Sequence, residues 1–203
     1  MSEMRQMRVG CHGYSRHMTT ASPVAGAPRA PASRVPVPDS RAPVFLRRID
    51  SPLGRIELVS DGEAIVSLAI ECDGALPFED IPEQTAPVLD VAVTQLREYF
   101  AGTRTDFDVP VLLAGTAFQQ TIWRELARMP FGTVTSYGAL GHATGRPTAG
   151  RAVGGAVGAN PVPIIVPCHR VLATSGRITG FSAGEGIATK AWLLDHEGIE
   201  HRL

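Results

Sequence analysis

Several things are scarce or missing in this chain, and each absence excludes something. Its 203 residues hold three cysteines, Cys11, Cys72 and Cys168, with no CxxC pair among them. An odd, scattered set argues against a disulfide framework and for a reducing compartment, the cytoplasm, in which a thiol stays free. No apolar run approaches the roughly 20 residues of a membrane span, and the N-terminus lacks the apolar core of a secretory signal, so a soluble chain without membrane attachment is expected. Neither GxGxxG nor a P-loop occurs, and the C-terminal half has no paired metal-ligand motif; no cofactor and no metal are therefore expected. A large net charge is missing too, at −1.

That small sum hides a segregation. Residues 1–42 carry six basic against two acidic side chains, residues 43–109 five against thirteen, and residues 110–203 eight against five. A polyanion would be repelled by the middle segment and attracted by the last. Chance variation among solvated faces produces the same sums as often. With so little net charge, binding to a polyanion would be moderate and salt-sensitive.

A hydrophobic content of 44% is enough for one compact body or two small domains. Residues 1–42 alternate Pro, Ala, Ser and Arg without periodicity and read as a disordered extension. Cys11, His12 and His17 lack a fourth ligand and a scaffold for a tetrahedral cage. Strand-like patterns follow at 45–49, 55–60 and 64–70, separated by Ser51-Pro52-Leu53-Gly54 and the hairpin signal Asp61-Gly62. Leu89, Val93, Leu96 and Phe100 mark one face of a helix over 87–101, closed by Gly102. A further short strand is expected over 107–113. The fold class is thus α+β: a small sheet-plus-helix domain over 43–109, read as structural support, then a mainly helical domain over 110–203.

In that second domain, Phe118, Ile122, Trp123 and Leu126 stripe a helix over 117–129. A shorter helix over 136–143, a turn at Gly145-Arg146-Pro147, and a helix from Pro147 to residue 159 give a helix-turn-helix outline. Plain helix packing produces such outlines more often than nucleic-acid binding does. The second helix, however, contains Gly150, Gly154, Gly155 and Gly158, each costing about 1 kcal/mol relative to Ala. Small residues there allow close approach of another surface, either the protein's own core or a ligand beside Arg151.

The chemistry concentrates at residues 163–171, Pro-Ile-Ile-Val-Pro-Cys-His-Arg-Val. An apolar, strand-like segment is interrupted by Pro167, and Cys168 then stands next to His169. Most lone cysteines in apolar surroundings are inert core residues. Here polar and charged side chains follow at once, and a base at His169 with a cation such as Arg170 would raise the thiolate fraction.

These residues resemble the acceptor segment of the methylated-DNA–protein-cysteine methyltransferases, the O6-alkylguanine-DNA alkyltransferases. The likeness covers 118–198 through Phe118-Gln119, Trp123, Pro130, Gly132, Ser136-Tyr137, Arg151-Ala152-Val153-Gly154, Asn160-Pro161, Pro167-Cys168-His169-Arg170-Val171, Gly176 and Leu193-Leu194. The resemblance implies irreversible, single-use transfer of an alkyl group from O6-alkylguanine, and in some members O4-alkylthymine, to Cys168. It implies a monomer that holds double-stranded DNA through the minor groove and rotates the damaged base outward. It assigns His169 as the base acting on Cys168 through water, Glu197 as the group orienting His169, and Tyr137 as a donor to the departing base. Asn160 is assigned as a brace of the turn before Cys168. Arg151 would fill the space left by the base, with Ala152, Gly154 and Gly155 against the groove, and main-chain groups of Cys168, Val171 and Ser182 would bind the purine edge.

Two departures leave alkyl size and rate open: Phe181 stands where the family usually has tyrosine, and the segment 182–187, with Ala183 where glycine is common, is about two residues longer than usual. A lesion-binding or regulatory protein without efficient repair is the alternative. The first would lack the acceptor thiol, and the second would need a cysteine-rich metal domain. A cysteine hydrolase would turn over and would need an oxyanion hole that no motif here supplies.

Overall fold

Alternating apolar side chains build a three-stranded antiparallel sheet in the computed structural model, which describes residues 45–203. The expected disordered extension, with Cys11, His12 and His17, lies outside the described residues. The strands are β1 (Phe45–Ser51), β2 (Gly54–Ser60) and β3 (Ile65–Ile70), in that order across the sheet. Ser51 closes the first turn, its Oγ donating to the Gly54 carbonyl at 2.6 Å, and Gly54 supplies the left-handed backbone (φ 95°) that the turn requires. In the second turn Asp61 Oδ1 accepts the N–H groups of Glu63 and Ala64, both at 2.9 Å.

Helix α1 (Pro87–Phe100) begins with proline in its first turn and lays Leu89, Ala92, Val93, Leu96 and Tyr99 on the sheet. Residues 107–113 do not form the expected strand. They run beside β3 through one parallel bridge, Ile65 with Val111; Pro110 has no N–H to extend a ladder.

The second half opens with α2 (Ala117–Ala127), whose capping box pairs Thr116 with Gln119. The two-residue strand β4 (Thr135–Ser136) leads into α3 (Tyr137–Ala143), capped by the Ser136 hydroxyl. After a turn comes α4 (Gly150–Gly158). Pro147 lies in that turn and not in the first turn of the helix. Helices α2, α3 and α4 close around Ile122, Trp123, Leu126, Leu140, Val153, Ala156 and Val157. Trp123 is fully buried, and its indole N–H donates to the Ala156 carbonyl at 2.8 Å, fixing α2 against α4.

The segment 163–167 departs from the strand reading. Pro163 and Pro167 cannot donate to a ladder, and Ile164 turns the chain sharply at φ 73° while its side chain is buried. Val162, Ile164 and Ile165 are apolar because they enter the core of the N-terminal sheet, not because they pair as a strand. Cys168–Arg170 forms one 3-10 turn, and only Val171–Leu172 (β5) is strand, paired parallel with β4. Helix α5 (Ile187–His196) ends the fold, with Glu197 as its C-cap. Among the described residues no helix is long and apolar enough to cross a membrane.

Candidate active site

The 3-10 turn at 168–170 sends consecutive side chains in different directions, and this separates thiol from base. Cys168 is buried but reaches a cavity of about 500 Å³. Its lining includes Tyr137 from α3, Gly154 and Gly158 from α4, Phe181 and Ser182 from the following loop, and Lys190 from α5. His169 and Arg170 turn the other way and converge on Glu197.

A carboxylate at the C-terminal end of a helix faces the negative end of the helix dipole, so Glu197 needs strong compensation. Among the described residues it has five hydrogen bonds. Oε1 accepts from Tyr99 Oη at 2.9 Å, pairs with His169 Nε2 at 2.8 Å and accepts from Arg170 Nη2 at 2.9 Å. Oε2 accepts from Arg170 Nε at 2.8 Å and from the Gly132 N–H at 3.2 Å. Burial alone would raise its pKa; the bonds from His169 and Arg170 overcome that and lower it to about 2.

An ionised Glu197 can only accept, so the proton of the His169–Glu197 bond sits on Nε2. Burial holds the His169 pKa below its ordinary value in spite of Glu197, which favours the neutral ring. Nδ1 then carries a lone pair. It is buried and has no hydrogen-bond partner among the described residues, an acceptor ready for a proton.

Burial pushes the Cys168 thiol up, and a hydrogen bond from Asn160, the charge of Lys190 and the N–H groups of Cys168 and His169 oppose the shift. The expectation that Arg170 activates the thiol is therefore corrected: its guanidinium is committed to Glu197 and to the Met129 carbonyl at 2.5 Å. The cation beside the thiol is Lys190, the only lysine in the sequence. Its exposure is 1%, and its ammonium donates to the carbonyls of Val171 at 2.6 Å and Gly180 at 3.4 Å. Burial lowers its pKa to about 8, which leaves it charged at neutral pH.

Asn160 ties the turn before the thiol, with Nδ2 donating to the Val166 carbonyl at 2.7 Å and Oδ1 accepting the Val162 N–H at 3.1 Å. The Tyr137 hydroxyl stands at the cavity within 3.4 Å of Thr179 Oγ1. Ser182 Oγ donates to the Gly158 carbonyl at 2.7 Å. On α4, Arg151, Ala152 and Gly155 are exposed, while Val153, Ala156 and Val157 point to the core. Outside the helix itself, no described atom lies within 4 Å of a side chain placed at Gly150 or Gly155, and Gly154 faces the Tyr137 ring at 3.9 Å. Packing on the protein's own core does not account for the first two glycines. Val171 is buried, its carbonyl held by Lys190.

Sequence reasoning did not find Tyr99 or Lys190 as members of the site. Tyr99 ties the N-terminal unit to the site, since α1 supplies a hydrogen bond to the Glu197 cluster. No motif marks it, because the contact spans 98 residues. A lysine at an otherwise apolar helix position was the one available signal for Lys190.

Residues 44–113 match the family described as 6-O-methylguanine DNA methyltransferase, ribonuclease-like domain, and residues 117–199 match 6-O-methylguanine DNA methyltransferase, DNA binding domain. The methylated-DNA–protein-cysteine methyltransferase of Mycobacterium tuberculosis H37Rv is 42% identical over 76% of this chain and 92% of its own length. The constitutive enzyme of that name from Bacillus subtilis is 38% identical over 75% and 94%. A crystal structure of M. tuberculosis OGT in complex with DNA matches at TM-score 0.68 and 42% identity, covering 76% of this chain and 92% of that one.

Proposed function

Since the chain belongs to the methylated-DNA–protein-cysteine methyltransferase family and repairs DNA by transferring alkyl groups to a cysteine, we propose that Cys168 is the acceptor and that each molecule acts once. The observation that carries this is the placement of one thiol on a base-sized cavity, with a buried His169–Glu197 pair starting at the next residue.

The alkyl carbon on guanine O6 points into the major groove of a stacked base, where a buried sulfur cannot align behind it. The base must leave the helix. Helix α4 lies in the minor groove with Ala152, Gly154 and Gly155 against the sugar-phosphate walls, and Arg151 fills the space the base vacates. The open surfaces over Gly150 and Gly155 support this placement. The rotated base enters the cavity, where Tyr137 and main-chain groups of Cys168, Val171 and Ser182 meet the purine edge. O4-alkylthymine fits the same scheme.

The Cys168 proton passes through water to His169 Nδ1. Ionised Glu197 stabilises the imidazolium, and Lys190 stabilises the thiolate. Sulfur attacks the alkyl carbon in line, the carbon–O6 bond breaks, and guanine leaves as an anion that takes a proton by way of the Tyr137 hydroxyl. The thioether has no second nucleophile to remove it. The protein acts as a monomer in the cytoplasm, where the acceptor stays reduced.

Incubation with excess duplex containing O6-methylguanine tests the proposal by intact mass. A gain of about 14 Da, absent in Cys168→Ala, is expected. An unchanged mass with tight lesion binding overturns it.

A further inference from the structure

The loop that forms one side of the cavity is held at both ends, and one of those holds belongs to the N-terminal sheet. Thr179, Gly180, Phe181 and Ser182 line the cavity. On the α4 side the loop is fastened by the Ser182 bond to the Gly158 carbonyl. On the other side the next residues run onto β3. Gly184 is buried, and a side chain there would meet Ile70 Cγ2 at 3.0 Å and Thr189 Oγ1 at 2.7 Å. The Glu185 carboxylate then accepts the main-chain N–H of Asp73 at 2.9 Å, a contact spanning 112 residues. The Glu185 N–H donates in turn to Thr189 Oγ1 at 2.9 Å. Asp73 has a left-handed backbone, φ 51°, in the turn after β3.

Such a loop does not hold its own shape. Gly184 and Gly186 both have positive φ, 52° and 64°, and glycine backbones have the most freedom to lose. The placement of Phe181 and Ser182 against the incoming alkyl group is therefore set by the attachments on either side, together with the Lys190 bond to the Gly180 carbonyl and the packing of the Phe181 ring on both cores. Glu185 lies in the stretch whose extra length sets this loop apart.

We propose that Glu185 is a positioning residue: by tying the cavity wall to Asp73 it limits the size of alkyl group that reaches Cys168. The proposal rests on the reading of the cavity as the alkyl-base pocket. On this proposal a methyl group is taken with the wall in place, whereas a benzyl group is taken only as the wall shifts and the Glu185–Asp73 bond stretches or opens.

The test compares single-turnover transfer from duplexes carrying O6-methylguanine and O6-benzylguanine, read by intact mass, for wild type, Glu185→Ala, Glu185→Asp and Glu185→Gln. Amide exchange at Asp73 reports the bond, and a thermal melt reports folding. The Glu185–Asp73 bond is solvent-exposed, so Glu185→Ala should raise the benzyl-to-methyl rate ratio about three- to fivefold, the worth of one exposed hydrogen bond, and should speed exchange at Asp73. Glu185→Asp, one methylene short, should move both in the same direction, while Glu185→Gln, which keeps an acceptor oxygen, should stay near wild type. Should faster exchange at Asp73 leave the ratio within twofold of wild type, the size limit lies elsewhere and the proposal is overturned. If wild type takes neither group, the reading of the cavity fails instead.

Discussion

Replacing Glu197 by glutamine keeps the shape of the side chain and removes its charge, so it isolates what the buried carboxylate does. In the native protein Glu197 faces Arg170 through two hydrogen bonds, and neither partner is appreciably exposed. With the amide in place of the carboxylate, the guanidinium would keep only the Met129 carbonyl and one amide oxygen, and the amide N–H groups would point at other donors. An uncompensated buried charge costs about 3–5 kcal/mol. A second route gives a similar size: lowering the Glu197 pKa from 4.5 to about 2 corresponds to about 3 kcal/mol of stability at roughly 1.4 kcal/mol per unit. A loss of this size lowers Tm by about 10 °C in a domain of this length. The sign of the pH dependence is fixed by the depressed value. The contribution is complete above pH 4.5 and is lost as pH falls through 4.5 towards 2. Glu197→Gln should therefore melt lower at neutral pH, and its stability should fall less steeply on acidification. Alkyl transfer should slow roughly 10- to 100-fold, because the imidazolium loses its counter-charge. Thermal melts from pH 3 to 8, with single-turnover rates at pH 7.5, check all three. A variant that melts within about 2 °C of wild type with the same acid limb would refute the assignment of Glu197 as the buried counter-charge.

Lys190→Met fills the same volume without the charge. Alkylation of Cys168 by iodoacetamide should then need a higher pH, and transfer should slow about tenfold; an unshifted pH profile rejects the electrostatic role. Gly141→Ala probes the turn between α3 and α4. The added Cβ would lie 2.8 Å from the Arg146 carbonyl oxygen, so the turn must open, and a net loss of about 1–2 kcal/mol is expected in urea unfolding despite the better helix propensity of alanine. A variant as stable as wild type would show that the turn yields freely.

Local structure was legible wherever neighbouring residues decide it. The apolar stripes of α1 and α2 and the glycine after α1 act within a turn or two of chain, and the helices form where those signals stand. The segment 163–167 shows where such signals stop: the apolar and proline residues before Cys168 read as a strand, but their apolar character serves burial against a distant sheet. Roles for Cys168, His169, Glu197 and Asn160 came from the ordered motifs that the family resemblance rests on, not from any one spacing. Tyr99, Lys190 and the Glu185–Asp73 contact had no local trace. By itself the sequence determined the α+β class, the helices and the residue types available for chemistry, because these follow from short-range sterics and apolar periodicity. Only the tertiary structure decided which cation faces the thiol, which groups hold Glu197 ionised and what fixes the cavity wall. Burial and electrostatic partnership depend on side chains brought together across 22 to 112 residues of chain, and that proximity exists only once the core has closed.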